Sequence, residues 1–486
     1  MMFHSAQYLA LVVVAVALYW FVSRPLPAGL RVGLRTLRER RTNRLAVLAA
    51  ASLAFYAAWS AAPLLIFSGY ALVNFTFGRA LDGTRRPWLR KLWLALAVGL
   101  HLGGLFAYKY LDFALRSWTS LAELLGLPAG PAPLGLLLPV GLSFVAFQAI
   151  SYIVDVYRGD ADGTYSYGHH WVFLLFFPQV IAGPIVRARD LLDHLDDEPS
   201  LTTEDGVQGV FRIAQGVAKK LLLADVLATA LVDPVFASPT AYTSAECLVA
   251  AVAYTFEIYF DFSAYSDIAI GTAALFGFRL PENFDKPYHA RNLFEFWNRW
   301  HVSLSTWLRD YLYRPLGGSR GGKLLTLRNL MLVMVLGGLW HGADWRFAVW
   351  GGLHGVFLVA LRVKWWVMGK PTYERWLSAA VGVVITFSVV VLTRIFFRAA
   401  SVDAALEYFR HLGALTGGVA RVTPLAWAAL WAAVFFYTLP RPVFDWAGVT
   451  FARLPAPVRA ALLIALGLLI KRIASFETQP YIYFQF

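Results

Sequence analysis

Long apolar runs separated by short basic stretches organise this chain. The first run extends from Tyr8 to Val22 and is followed by Arg24, Arg31, Arg35, Arg38, Arg40, Arg41 and Arg44. A cleavable leader carries its positive charge before the apolar run and a small-residue cleavage site after it. The order here is the reverse. The pattern predicts a retained first span with its N-terminus outside and an arginine loop in the cytoplasm. Residues 45–77 contain no charged side chain, and Trp59 with Pro63 marks a break near their middle. That length exceeds one upright crossing and predicts two short spans joined as a hairpin. The hairpin returns the chain to a second basic loop containing Arg79, Arg85, Arg86, Arg90 and Lys91. Both basic stretches then fall on one side, as the Lys/Arg bias of cytoplasmic loops requires.

Further apolar segments cover about 92–108, 134–157, 171–186, 207–232, 246–278, 325–340, 345–367, 376–397, 424–440 and 455–470. The 171–186 segment ends in Gly183 and Pro184, and 246–278 carries Glu257, Asp261 and Asp267. Such residues are tolerated at membrane depth only against protein or a wet cavity. The reading is an all-α polytopic integral membrane protein with about 11–13 membrane helices, one or two of them re-entrant. One domain spans 1–486, with N-terminal helices over about 1–130, a core over about 134–367 and C-terminal helices over about 376–486. The acidic stretch from Asp190 to Asp205 is too short to be a domain, so any chemistry takes place within the membrane body. The 20–50-residue repeats and matched half-helix breaks that mark many transporters are not seen.

Composition excludes the soluble alternatives. Of the 486 residues 58% are hydrophobic and 15% charged, against about 25% charged in soluble domains. Part of every globule must face water, and this chain has too little polar surface for that. The net charge of +13 is assigned to loops facing anionic lipid headgroups rather than to nucleic acid, since no nucleic-acid motif accompanies it. The one cysteine, Cys247, permits no internal disulfide and reads as a small core residue.

Polar chemistry concentrates between Phe284 and Arg328, which hold His289, Arg291, Glu295, Arg299, His301, Arg309, Asp310 and Arg314 among many aromatics. Glu295 and Arg299 would pair on one face of a helix. The aromatics predict helices lying in the interface plane, with rings at headgroup level. Gly317, Gly318, Gly321 and Gly322 then make a basic turn with Arg320 and Lys323. A surface belt without chemistry is the bland alternative. The next apolar run ends at Trp340 and His341, before a glycine-rich break and Trp345. A buried neutral histidine there can take a proton from a hydroxyl; the alternative is a core histidine satisfied by a carbonyl. His354 lies among Gly351, Gly352 and Gly355, which suits close helix packing. No metal is expected. His289, His301, His341 and His354 lack the i,i+4 pairing of a ligand set, and His169 with His170 diverge in a loop. No serine-hydrolase elbow, P-loop or dinucleotide fingerprint is present.

Six blocks carry a resemblance to a known family: GLSFVAFQAISYIVDVYRG (Gly141–Gly159), FFPQVIAGPIVR (Phe176–Arg187), YFDFSAYSDIAIG (Tyr259–Gly271), FGFRLPENFDKPY (Phe276–Tyr288), EFWNRWHVSLSTWLRDYLYRPLGG (Glu295–Gly318) and GLWHGADWRFAVWGGLHG (Gly338–Gly355). The final QPYIYFQF also fits, and Asn43–Trp59 fits loosely. The chain resembles the membrane-bound O-acyltransferases, within them the bacterial branch containing the alginate O-acetyltransferase membrane subunit. The resemblance implies a ring of spans around a thin central region, with a tunnel linking the cytoplasmic side to the outer face. It implies that His341 is catalytic and His301 its conserved second histidine, which we nominate as oxyanion donor. Trp307, Arg309 and Asp310 lie in the block beside it. Acetyl-CoA is the implied donor, without a permanently bound cofactor, and Trp307, Arg309, Asp310, Arg314, Arg320, Lys323 and Trp340 are the candidate substrate or donor contacts. The implied location is a bacterial inner membrane. The expected partner is a periplasmic SGNH-type O-acetyltransferase or a polysaccharide-synthesis complex, and the acceptor an alginate-like polymer. Peptidoglycan, cellulose or a teichoic-acid-like polymer, and a transporter or scaffold without chemistry, are the other readings.

Overall fold

A backbone surrounded by hydrocarbon must satisfy its amides within its own segment, so apolar runs fold as helices. The computed structural model describes residues 4–23, 33–58, 62–128, 130–181, 183–373, 376–473 and 481–482, and their regular structure is helical. Among the described residues seven helices are long and apolar enough to cross a membrane: Ala6–Ser23, Pro63–Gly83, Pro87–Leu124, Ser244–Leu275, Lys323–His341, Trp345–Met368 and Trp376–Arg398. The chain is an all-α polytopic membrane protein. Other predicted apolar segments form shorter or more charged helices, among them Leu142–Arg158, Pro424–Thr438 and Ala456–Ile473.

The chain forms two compact units, Met1–Ile213 with Ser266–Pro281, and Ala214–Tyr265 with Glu282–Phe486. In the first, a helix ends at Ala57 and the next begins at Ala62, as the Pro63 break predicts. Arg24, Arg31, Trp59 and most of the C-terminal QPYIYFQF lie outside the described residues. The expected arginine loop is corrected in part. Arg35, Arg38, Arg40, Arg41 and Arg44 lie on the helix Gly33–Ala57. Arg44 is buried and donates to the Asp197 carbonyl at 3.2 Å rather than facing headgroups. Arg90 donates to the carbonyls of Leu81 at 2.6 Å and Tyr157 at 2.8 Å. These carbonyls lie in the last turns of two helices, where a cation is favoured.

The 171–186 segment is not one continuous helix. Its helix, Tyr167–Leu175, has 9 residues, about 13 Å of rise, and the chain then runs irregularly with Phe176, Phe177, Val180, Ile185 and Val186 buried. Irregular backbone of this kind needs protein around it. His169 and His170 lie on that helix rather than in a loop: His169 pairs with Asp196 at 3.1 Å, and His170 is buried.

In the second unit the spans Lys323–His341 and Trp345–Met368 pack through glycines. A Cβ on Gly338 would lie 2.2 Å from the Phe347 carbonyl oxygen, and one on Gly351 2.2 Å from that of Met334. Only glycine allows this backbone approach, the close packing expected around His354. Asp344 starts the second of these helices by accepting from the Arg346 amide at 2.8 Å. The helix Ser244–Leu275 has 78% of its apolar window buried, against 17% for Pro87–Leu124. It is a wall inside protein, which is why its acidic residues are tolerated. Asp261 and Asp225 each accept from Lys220 at 2.7 Å, and Asp261 also accepts from the Ile482 amide at 2.9 Å. Lys220 lies in a π-helical stretch, Lys219–Ala224, and its ammonium sits 4.7 Å from the centre of the Tyr481 ring.

Candidate active site

His341 is the last residue of its span, followed by Gly342 in extended conformation. A Cβ on Gly342 would fall 2.1 Å from the Phe347 ring, so glycine is required at the break. The imidazole is 5% exposed. Three rings meet it edge-on: Trp340 at 5.1 Å, Trp350 at 5.3 Å and Phe397 at 5.3 Å. Trp350 and Phe397 come from the spans Trp345–Met368 and Trp376–Arg398, so three spans fix the ring.

His301 is the junction between the short helices Leu293–Arg299 and Val302–Leu308. Its φ is +43°, a left-handed conformation costing a non-glycine residue about 1–2 kcal/mol. Asn283 holds this turn. Its carbonyl accepts from the Val302 amide at 2.9 Å, and its Oδ1 accepts from the Ser303 amide at 3.3 Å and hydroxyl at 2.9 Å. The same Oδ1 lies 3.0 Å from His301 Nδ1. The ring is fully buried, edge-on to Phe262 at 4.6 Å and to Trp340 at 6.0 Å. Burial, and then the charge of nearby His341, holds the His301 pKa well below the ordinary histidine value. Trp340 therefore contacts both histidines, and these three of the expected residues are brought together.

The others lie elsewhere. Trp300 and Trp307 are buried against protein, while Trp297, Tyr311 and Tyr313 of the same stretch are partly exposed. Trp307 packs on Tyr311 at 5.3 Å. Asp310 is buried and accepts from Arg309 at 2.9 Å and 3.1 Å, and pairs with Arg314 at 3.0 Å. Arg320 and Lys323 are exposed. Lys323 begins the span that His341 ends, which puts about 27 Å of helix between them at about 1.5 Å per residue. Glu295 bonds Arg299 at 2.7 Å across one helical turn, as expected, and Arg291 at 3.0 Å. His289 is exposed against Tyr437. His354 Nε2 lies 3.0 Å from the Thr393 hydroxyl, which itself donates to the Val389 carbonyl at 2.8 Å. His354 thus donates to Thr393 and reads as a packing residue. Among the described residues no group of three or more His, Cys, Asp or Glu side chains is placed to hold a metal ion.

Asn283, Ser303, Trp350 and Phe397 were not singled out from sequence. Asn283 lay within a quoted block, but nothing local links it to a histidine 18 positions away. An aromatic surround favours proton acceptance from a hydroxyl by an imidazole that is neutral and disfavours competing hydrolysis.

Comparison with known proteins gives this arrangement its class. Residues 162–402 match the membrane-bound O-acyltransferase family. The chain is 42% identical to the "Probable alginate O-acetylase AlgI" of Pseudomonas aeruginosa, over 78% of this chain and 72% of that protein. It is 37% identical to the protein of the same name from Pseudomonas putida, over 94% of this chain and 97% of its relative. A peptidoglycan O-acetyltransferase of Helicobacter pylori is 34% identical over 76% of this chain and 73% of that protein. The chain belongs to the membrane-bound O-acyltransferase family. It is an O-acyltransferase of the polytopic inner-membrane kind.

Proposed function

We propose that this protein moves an acetyl group from acetyl-CoA on the cytoplasmic side, through a periplasmic partner, to a hydroxyl of an exported, alginate-like polysaccharide. The observation carrying the chemistry is the pair of buried imidazoles, His341 and His301, each against Trp340. The acceptor oxygen attacks the thioester carbonyl as His341 takes its proton. The C–S bond breaks, and the proton passes to the departing thiolate. The acceptor assignment draws on the two alginate O-acetylase relatives. Arg320 and Lys323, with Arg309 and Arg314, remain candidate contacts for the donor's phosphates.

A periplasmic SGNH-type transferase, or a polymer-synthesis complex, hands the acetyl group onward. This reading is motivated by the lack of an extramembrane domain among the described residues. With labelled acetyl-CoA and an oligomannuronate acceptor, label is expected on the sugar only when that partner is present. Exchanging the partner should change the acetylated polymer. Transfer by the purified chain alone would remove the partner step, and no transfer with any partner would sink the assignment.

Orientation follows from the basic stretches, with Arg85 and Arg86 in the cytoplasm and the N-terminus outside. A cysteine placed at position 84 should resist an impermeant thiol reagent in intact spheroplasts and react after lysis. Labelling before lysis would invert the topology.

A further inference from the structure

Hydrogen-bond directions around His301 decide which of its nitrogens carries the proton. The Ser303 main-chain N–H can only donate, and it points to Asn283 Oδ1 at 3.3 Å. That contact identifies the atom as the amide oxygen, because an NH2 group there would face a donor. The Ser303 hydroxyl donates to the same oxygen at 2.9 Å. An amide oxygen has no proton to give, so His301 Nδ1, 3.0 Å away, must be the donor. In a neutral imidazole the proton on Nδ1 leaves a lone pair on Nε2. The oxyanion-donor role nominated from sequence needs an N–H at Nε2, and this arrangement does not supply it.

We propose that Asn283 is a positioning residue that fixes the tautomer of His301, so that His301 meets the substrates as a hydrogen-bond acceptor through Nε2. The partners this suits are an O–H of the acceptor or an amide N–H of the thioester donor. The His301 turn is built for this purpose by one residue: Asn283 bonds the Val302 amide, the Ser303 amide and hydroxyl, and the imidazole. A left-handed His301 is thereby held where its ring faces Trp340. Phe262 packs on the ring from the helix Ser244–Leu275, Ser303 from Val302–Leu308, and Trp340 from the Lys323–His341 span. His341, on that last span, is the titratable group among these neighbours.

The inference rests on the proposed acetyl transfer, and Asn283→Asp tests it separately. A carboxylate at Nδ1 favours the imidazolium, raising the pKa of His301. If the lone pair on Nε2 is required, activity is lost at a higher pH than in the wild type. The measurement is the pH profile of kcat/KM in nanodiscs holding the chain and its partner transferase, with acetyl-CoA as donor and oligomannuronate as acceptor. We expect the acidic limb of Asn283→Asp to move up by about one pH unit or more and to follow the titration of the His301 ring, read by nitrogen-15 NMR of histidine-labelled protein; a limb that follows the His341 ring instead overturns the proposal. An acidic limb that stays put or moves down overturns the proposal, since a donor role would gain from protonation. If the aspartate variant does not fold, Asn283→Ala carries the test. It should cost about 10–100-fold in kcat/KM, as lost outer-shell partners do, with monodispersity and acetyl-CoA binding unchanged, and Asn283→Gln, which keeps an amide oxygen, should recover part of the loss. Full activity in Asn283→Ala overturns the proposal as well. An inactive wild type would instead count against the acetyl-transfer reading itself.

Discussion

Changing His341 to alanine is expected to lower acetyl transfer by about 10²–10⁴-fold, the usual cost of removing a positioned proton acceptor. Folding should survive, because the ring's packing consists of edges from Trp340, Trp350 and Phe397 on spans that meet independently through Gly338 and Gly351. His301→Ala should also be severe, with a measurable residue of activity, since positioning is shared among groups. His354→Ala should be milder, because its ring serves Thr393 and the packing of Trp297 and Trp350. The check is transfer of labelled acetyl in nanodiscs, alongside monodispersity and donor affinity. A purely structural His341 would lose folding, donor binding and activity together. A well-folded His341→Ala protein keeping more than about a tenth of wild-type turnover rejects the base role.

The second large effect is expected at Lys220. Its ammonium is 2% exposed and lies between Asp225 and Asp261. Lys220→Met would leave two buried carboxylates facing each other with no cation. Breaking a buried ion cluster from one side typically costs about 3–5 kcal/mol. Replacing the whole cluster with uncharged groups is far cheaper, so Lys220→Met with Asp225→Asn and Asp261→Asn should recover most of the loss. Asp261→Asn alone also weakens the bond to the Ile482 amide. Thermal unfolding followed by size-exclusion chromatography in detergent reads both arms. A midpoint for Lys220→Met within about 1 °C of wild type would show that the cluster carries less than about 1 kcal/mol.

Pattern along the chain exposed the features that depend on short range. The Pro63 break, the glycines around His354 and the placement of His341 at the end of a span all follow from neighbours a few positions apart. The Glu295–Arg299 pair does too. What stayed hidden depends on which apolar surface meets lipid and which meets protein. Hydrocarbon is as apolar as a leucine-lined core, so composition does not separate them. Trp300 and Trp307 look like interface anchors for that reason, yet they are buried. Arg44 looks like a headgroup contact, yet it serves a carbonyl inside the unit. The Asn283–His301 bond was invisible on other grounds. It joins two loops brought together by folding, and neither loop carries a local signal for the other.

Cys247 is the chain's one cysteine, and its thiol is buried, 3.6 Å from the Pro239 carbonyl. The native protein is therefore already a blank background for spectroscopic tagging. Spin labels or fluorophores attached at introduced cysteines report from the chosen places alone, without a native residue being sacrificed. Paired tags, one on the Lys323–His341 span and one on the Trp376–Arg398 span, would measure whether those two rods shift against each other during turnover.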